Sequence, residues 1–389
     1  MFRPKCVATT VQSPTDDAPG DSQLPVPKSY FKSAQWSADG TCLIASRSNN
    51  DIDTFVVPAD LLEKAPEPRI LSPYCSIQSA ESVKAVVGYP FFNLQDSSTT
   101  LILSSMRDHP IRLTSALTGH LGASYPLVNP MTEGFISPHS LMFSSQGDRI
   151  IAGSESLISI FDVNRPGQDP VSSIPTGPKW RKAAEYTGTV NMRGIVSTLS
   201  GDPSTGLLAA GTYSRYVALY DSLGQGDCVG VFCVKGTAAD LQIGGGGITQ
   251  VLWSPCGRYL HIAERKSNGV MLYDIRKTGQ LLAWLEGRAA MTNQRLGIDL
   301  VGTDDQSNEV WAGGLDGVFR MWKDPQQREG PIASTFEFNG HSDAVSSVVV
   351  HHRGGVLATS SGQRHVAVEY EDVQMEETMP DYNLKIWEL

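Results

Sequence analysis

The chain has 389 residues, a formal net charge of −10 and a sequence pI of about 5.3. That balance argues against a generic polyanion coat, so nucleic-acid binding would require a local basic patch. Six scattered cysteines without a CxxC pair favour reduced thiols over a disulfide framework, and the first residues lack the apolar region of a secretory signal.

In chain order, residues 1–28 are rich in Pro, Ser and Asp and are expected to form a mobile arm. Within it, residues 6–11 alternate weakly and could instead supply a closing strand. From residue 29 onward the chain repeats one grammar of strand, turn, strand, loop, strand. Residues 247–287 show it most fully. Side chains alternate in ITQVLW, Ser254-Pro255-Cys256-Gly257 turns, and three further short strands follow within about 40 residues. Four antiparallel strands in that length match one propeller blade, and a lone blade cannot bury its faces. Six sister units are found. Their third strands end on Phe55, Leu113, Phe161, Tyr220, Trp322 and Trp387, with Tyr273 in the unit just described. The expected fold is all-β, a seven-bladed WD-repeat β-propeller over residues 29–389. The last unit lacks an outer strand of its own and would expose an edge, which is why residues 6–11 are candidates for closing the ring.

Two connections stand out. PTGPKWRKAAEY at 175–186 sets Lys179, Arg181 and Lys182 beside Trp180. It reads either as a solvated loop or as a nucleic-acid contact. Residues 369–381 carry six acids and no base, and read either as a disordered loop or as a partner-binding one. No segment approaches 18 apolar residues, so no membrane span is expected.

Catalytic constellations are missing: there is no Walker motif, nucleophile elbow, HExxH or EF-hand loop, and the glycine run at 244–247 has no phosphate-binding lysine. Neither catalysis nor a cofactor is expected. His351 and His352 are adjacent at a strand end, where alternation would point their rings apart, so no metal pair is expected there. Asp316 in GGLDG and the Gly340-His341 pair are read as hydrogen bonders that stabilise their blades.

One pattern remains. The loops between second and third strands read ASRSNN, SSMRDH, AGSESL, GTYSRY, AERKSN, GGLDGV and SSGQRH. Five of the seven carry a cation, at Arg47, Arg107, Arg215, Arg265 with Lys266, and Arg364. Equivalent loops of a propeller share one face. Arg295, in the TNQR segment with Asn293 and Gln294, approaches from that side, and Gln363 precedes Arg364. Guanidinium forks match phosphate and base edges, and Tyr213 could stack on a base. The alternative is that each arginine pairs with a neighbouring acid and braces its loop.

The phrases TNQRLGIDL (292–300), LATSSGQR (357–364), RDHPIRLTSALTGHLGASY (107–125), HSLMFSSQGDRI (139–150) and FKSAQWSADGTCLI (31–44) resemble the telomerase Cajal body protein family. The likeness covers residues 29–389. It implies a WD-repeat RNA-binding scaffold of nuclear small RNPs; a monomer is expected, although the sequence itself leaves the oligomeric state open. Such a protein would recognise a short box in a hairpin loop of small Cajal-body RNAs (scaRNAs) and telomerase RNA. H/ACA RNP proteins and the telomerase RNP would be its partners, in the nucleus and Cajal body and also in the cytoplasm. The chain departs from the family where Leu113-Thr114-Ser115 replaces Ile-Trp-Asp, and where Phe or Tyr replaces several blade tryptophans. The competing expectation is a protein–protein scaffold, splicing-associated or complex-assembling, whose rim grips acidic peptides without touching RNA.

Overall fold

The computed structural model describes residues 3–10, 29–177, 192–202, 204–277, 279–302, 307–365 and 381–389. Within them the chain forms seven sheets, each built around four antiparallel strands running outward from the centre of a ring. In blade 1 these are Phe31–Trp36, Cys42–Arg47, Ile52–Val56 and Cys75–Ile77. The innermost strands of blades 2 to 7 are Val83–Gly88, Ser140–Phe143, Val196–Gly201, Ile248–Trp253, Ile298–Gly302 and Val345–Val350.

The alternation that makes the strands also makes the core. Each sheet turns one set of side chains to the blade before it and the other set to the blade after it. The result is seven hydrophobic clusters among the described residues, one at each junction between neighbouring blades. Between blades 4 and 5, for example, Val217, Leu219 and Phe232 meet Val251, Trp253, Leu260, Met271 and Tyr273. All seven aromatic or leucine residues that mark the third strands are buried. The turns follow the residue chemistry: Gly40 and Gly257 hold φ of +73° and +66°, a region open to glycine.

The ring closes through Lys5–Thr10, which pairs antiparallel with the last strand, Leu384–Glu388. Val7 and Ala8 are thereby buried between blades 7 and 1. A second segment, Arg69–Leu71 from blade 1, lies parallel on the other side of the closing strand. Gly330–Ile332 from blade 6 covers the outer edge of blade 5 in the same way. Both covers remove edges open to pairing with another chain. Neither is legible in the sequence, because strands of three residues beside prolines carry no alternation. The short helix Ala238–Ile243, capped by the Thr237 side chain, was also not anticipated. The linker residues Lys179, Trp180, Arg181 and Lys182, the arm over 11–28, and the acidic segment over 369–380 lie outside the described residues.

The expectation for the two adjacent histidines needs correcting. The His351 and His352 rings lie against each other, with centroids 4.4 Å apart. They sit in the turn beyond the innermost strand of blade 7, where strand alternation no longer applies. Among the described residues no group of three or more His, Cys, Asp or Glu side chains is placed to hold a metal ion, and no helix is long and apolar enough to cross a membrane.

Candidate nucleic-acid interface

The register sets the arginine-bearing loops on one face. The start of each innermost strand pairs with the end of the second: Phe31 with Arg47, Val83 with Met106, Val196 with Thr212, Ile248 with Glu264 and Val345 with Ser361. The loops holding Arg47, Arg107, Tyr213, Arg215, Arg265, Lys266 and Arg364 therefore emerge on the side from which the chain enters each innermost strand.

TNQR ties this face together. The Thr292 carbonyl accepts the Lys266 amide at 2.7 Å, connecting to blade 5. Gln294 Nε2 donates to the Gly362 carbonyl of blade 7 at 2.8 Å. Arg295 Nη2 donates to the Ser197 carbonyl on the innermost strand of blade 4. One four-residue loop thus touches three blades besides the one it leads into, while Asn293 stays exposed.

The cations divide into two groups. Arg47 and Arg215 brace the propeller. Arg47 Nε lies 2.5 Å from Asp53 Oδ2, with its guanidinium 4.7 Å from the Phe31 ring centroid. Arg215 is buried. Its Nε and Nη2 grip Glu264 at 2.7 and 2.6 Å, and Nη2 also meets Asp240 at 2.5 Å. Burial works against the Arg215 charge, but the two carboxylates hold its proton above the ordinary guanidinium range. Burial likewise raises the Glu264 carboxyl, and Arg215 offsets this. Arg215 thus commits Nε and Nη2 to carboxylates that stand 49 and 25 residues away in the chain, beyond the reach of any reading of the loop alone.

The remaining cations are not held by buried acids. Arg107 is exposed, and its one ion pair among the described residues is with its neighbour Asp108, at 3.3 Å. In water a pair of that kind is worth about 0–1 kcal/mol. Arg265 bonds the Gly246 carbonyl at 2.8 Å and lies 4.8 Å from the centroid of the Tyr213 ring. One face of Tyr213 is therefore already covered. Lys266 and Arg364 are exposed, with no ion pair to a described residue. Gln363 is committed to Asp343 Oδ1 at 2.9 Å, next to His365, whose Nε2 lies 2.6 Å from Asp343 Oδ2.

The hydrogen-bonding role expected of His341 is met in blade 7, with partners the sequence does not reveal. His341 Nδ1 lies 3.0 Å from Asp381 Oδ2 and its Nε2 lies 2.7 Å from Thr359 Oγ1. Trp387 Nε1 donates to the same threonine oxygen at 2.8 Å. In the sequence Asp381 shows only as the end of an acidic run. In blade 6 the corresponding role is reworked. Asp316 binds Arg320 at 2.6 Å, Arg320 reaches Glu337 at 3.1 Å, and Trp322 Nε1 finds no partner among the described residues. Arg193 leads into blade 4 with Nε and Nη2 buried and unpartnered among the described residues. Lys32, Lys84 and His139 stand at the start of the innermost strands of blades 1 to 3. They are invisible to a search confined to loops between second and third strands.

Comparison with known proteins bears on this geometry. A profile described as "WD domain, G-beta repeat" matches residues 332–368, which span the outer part of blade 6 and the first two strands of blade 7. The chain is 31% identical to "Guanine nucleotide-binding protein negative regulator 1" of Schizosaccharomyces pombe over 76% of its own length and 71% of that protein's. It is 26% identical to "Telomerase Cajal body protein 1" of Homo sapiens over 87% of its length, and 28% identical to the Drosophila melanogaster "Telomerase Cajal body protein 1 homolog" over 86%. The match spans 58% of the human protein and 57% of the fly protein, somewhat over half of each.

Proposed function

Because the chain belongs to the telomerase Cajal body protein family of WD-repeat propellers, we propose that it is a non-enzymatic RNA-binding scaffold of nuclear small RNPs. Its TNQR face would take a short unpaired loop of small Cajal-body RNAs and telomerase RNA. H/ACA RNP proteins would be its neighbours in the nucleus.

One observation carries this reading. A chain of net charge −10 sets Arg107, Arg265, Lys266 and Arg364 on one face with no ion pair to a buried carboxylate among the described residues, beside Arg47 and Arg215, which have one. Lys266 and Arg364 are free of ion pairs to described residues, and Arg265 is layered on Tyr213. Arginine on an aromatic ring offers both a phosphate fork and a stacking plane, the combination used to hold single-stranded RNA. The test is crosslinking in native cells followed by sequencing of the bound RNA. Enrichment of small nuclear RNAs supports the reading, and recovery of bulk RNA alone overturns it.

A protein-binding scaffold is the second reading. The named likeness to a negative regulator of a guanine nucleotide-binding protein favours it, and the same free cations would suit an acidic peptide. Partners that survive ribonuclease treatment in a pull-down would select this reading over the first.

A further inference from the structure

In five blades the register slips at the second residue of the innermost strand, or the residue beside it: between Phe31 and Ser33, Val83 and Ala85, Val196 and Thr198, Ile248 and Gln250, and Val345 and Ser347. The residues passed over are Lys32, Lys84, Ser197, Thr249 and Ser346. A bulge re-aims the side chain it carries out of the ladder, and here it does so on the strands that border the central channel.

The three hydroxyls are satisfied by backbone. Ser197 Oγ donates to the Ile248 carbonyl at 2.5 Å, Thr249 Oγ1 to that of Ala263 at 3.2 Å, and Ser346 Oγ to that of Ser360 at 3.2 Å. The two lysines are not. Lys32 Nζ makes one bond, to the Val83 carbonyl at 3.3 Å, which leaves two of its three donors. Neither Lys32 nor Lys84 has an ion pair with a described residue. Arg295 crosses from blade 6 to the Ser197 carbonyl, the bulge position of blade 4. His139 stands just ahead of the innermost strand of blade 3.

Lys32 Nζ meets the carbonyl of Val83, the residue before Lys84, and Arg295 bonds the second residue of the innermost strand of blade 4, so all three cations stand at the entry ends of innermost strands. Burial and then Lys84 lower the Lys32 ammonium. Burial, Lys84 and Arg295 lower the His139 ring, with Glu155 opposing them. A cluster of like charges is unfavourable unless an anion joins it, and the chain has 41 acidic residues from which a neutralising partner could have been drawn.

We propose that Lys32, Lys84 and Arg295 form a phosphate-binding subsite at the mouth of the channel, which takes a backbone phosphate from the RNA loop held on this face. The subsite rests on the RNA-binding reading above, and it shifts the main phosphate contact from the outer rim to the inner border of blades 1, 2 and 4.

The test measures binding of the full chain to a synthetic RNA hairpin recovered by crosslinking, across a salt series. Lys32→Gln/Lys84→Gln is compared with wild type, with Lys32→Arg/Lys84→Arg and with Arg364→Ala. Each phosphate contact to a single strand contributes roughly 0.7 to the slope of log affinity against log salt. The expected result is a slope shallower by roughly that amount in the glutamine pair, a Kd raised about tenfold at low salt, and recovery in the arginine pair. Sodium tripolyphosphate should compete with the hairpin on wild type and lose that effect on the glutamine pair. Lys84→Gln alone, which breaks no bond to a described residue, repeats the measurement if the double variant fails to fold. An unchanged slope and Kd in the glutamine variants, with Arg364→Ala weakened, would overturn the subsite and leave the RNA reading standing. A wild-type chain that does not bind the hairpin would overturn both.

Discussion

His341 and Asp381 face each other 3.0 Å apart inside blade 7, although 40 residues separate them in the chain. Asp381 also accepts the Ser342 amide at 3.2 Å and approaches Lys385 Nζ at 3.2 Å. Burial alone would raise its carboxyl. The His341 hydrogen bond, the nearby positive charges and the Ser342 amide hold it well below the ordinary carboxylate range instead. His341 is pushed down by burial, against the pull of Asp381. The pair fastens the connection from blade 6 to the last strand through Thr359 and Trp387.

Asp381→Ala and His341→Ala should each cost about 1–3 kcal/mol, the usual consequence of stranding a buried polar partner. The double variant should cost less than the sum of the two, because one contact is shared. Urea midpoints measured on the four proteins check this. Additive losses would mean that the two side chains act independently. The sign with pH follows from the directions above. The Asp381 contribution is present above the ordinary carboxylate pKa and is lost as pH falls below it, and the wild type should show this acid loss more strongly than Asp381→Ala.

Arg215 and Arg364 should separate brace from reader. Arg215→Ala leaves Glu264 buried without its cation, and should destabilise the chain by about 3–5 kcal/mol. Arg364→Ala touches no described partner, so it should change stability by less than about 0.5 kcal/mol while weakening RNA. Thermal melting beside a binding isotherm distinguishes the two. Equal melting temperatures for both variants would remove the bracing role of Arg215.

Asp299 gives a prediction of opposite sign. Its carboxyl accepts the Val350 amide of blade 7 at 2.7 Å and the Leu300 amide at 2.9 Å, and burial pushes it up to about 6. A carboxyl raised in the folded state favours folding when protonated, so its charge costs stability as pH rises from the ordinary carboxylate value through about 6. Asp299→Asn removes the charge but keeps one carbonyl oxygen, so one of the two amides, which bond different carboxylate oxygens, loses its acceptor. That loss does not depend on pH, so relative to wild type the variant should gain melting temperature as pH rises from about 4 to about 7.5. A gap independent of pH would refute this account.

The closing strand is the fourth case. Deleting residues 1–10 uncovers the edge of Leu384–Glu388 and opens the cluster formed by Val7, Ala8, Leu384 and Ile386. We expect a lower melting temperature and concentration-dependent association through the free edge. Ala8→Asp should mimic the loss of melting temperature, since Ala8 is fully buried. A truncated chain that melts and sediments like wild type would show that the ring is held without this strand.

The sequence by itself determined the number of blades. Strand alternation and recurring turns are local properties, and an aromatic or leucine at each third strand carries the count through seven units, from Phe55 to Trp387. It also placed the cation-bearing loops on a common face, because equivalent positions of a closed repeat must share one. Only the tertiary structure decided what each cation does. Arg215 and Arg265 occupy equivalent loops, yet Arg215 is locked to Glu264 and Asp240 while Arg265 rests on Tyr213 and a carbonyl. The link from Gln294 to Gly362, the His341–Asp381 pair and the register slips at Lys32 and Lys84 were likewise hidden. The physical reason is distance along the chain. Whether a charge is neutralised depends on groups that ring closure brings beside it from other blades, and no pattern of neighbours in sequence records that.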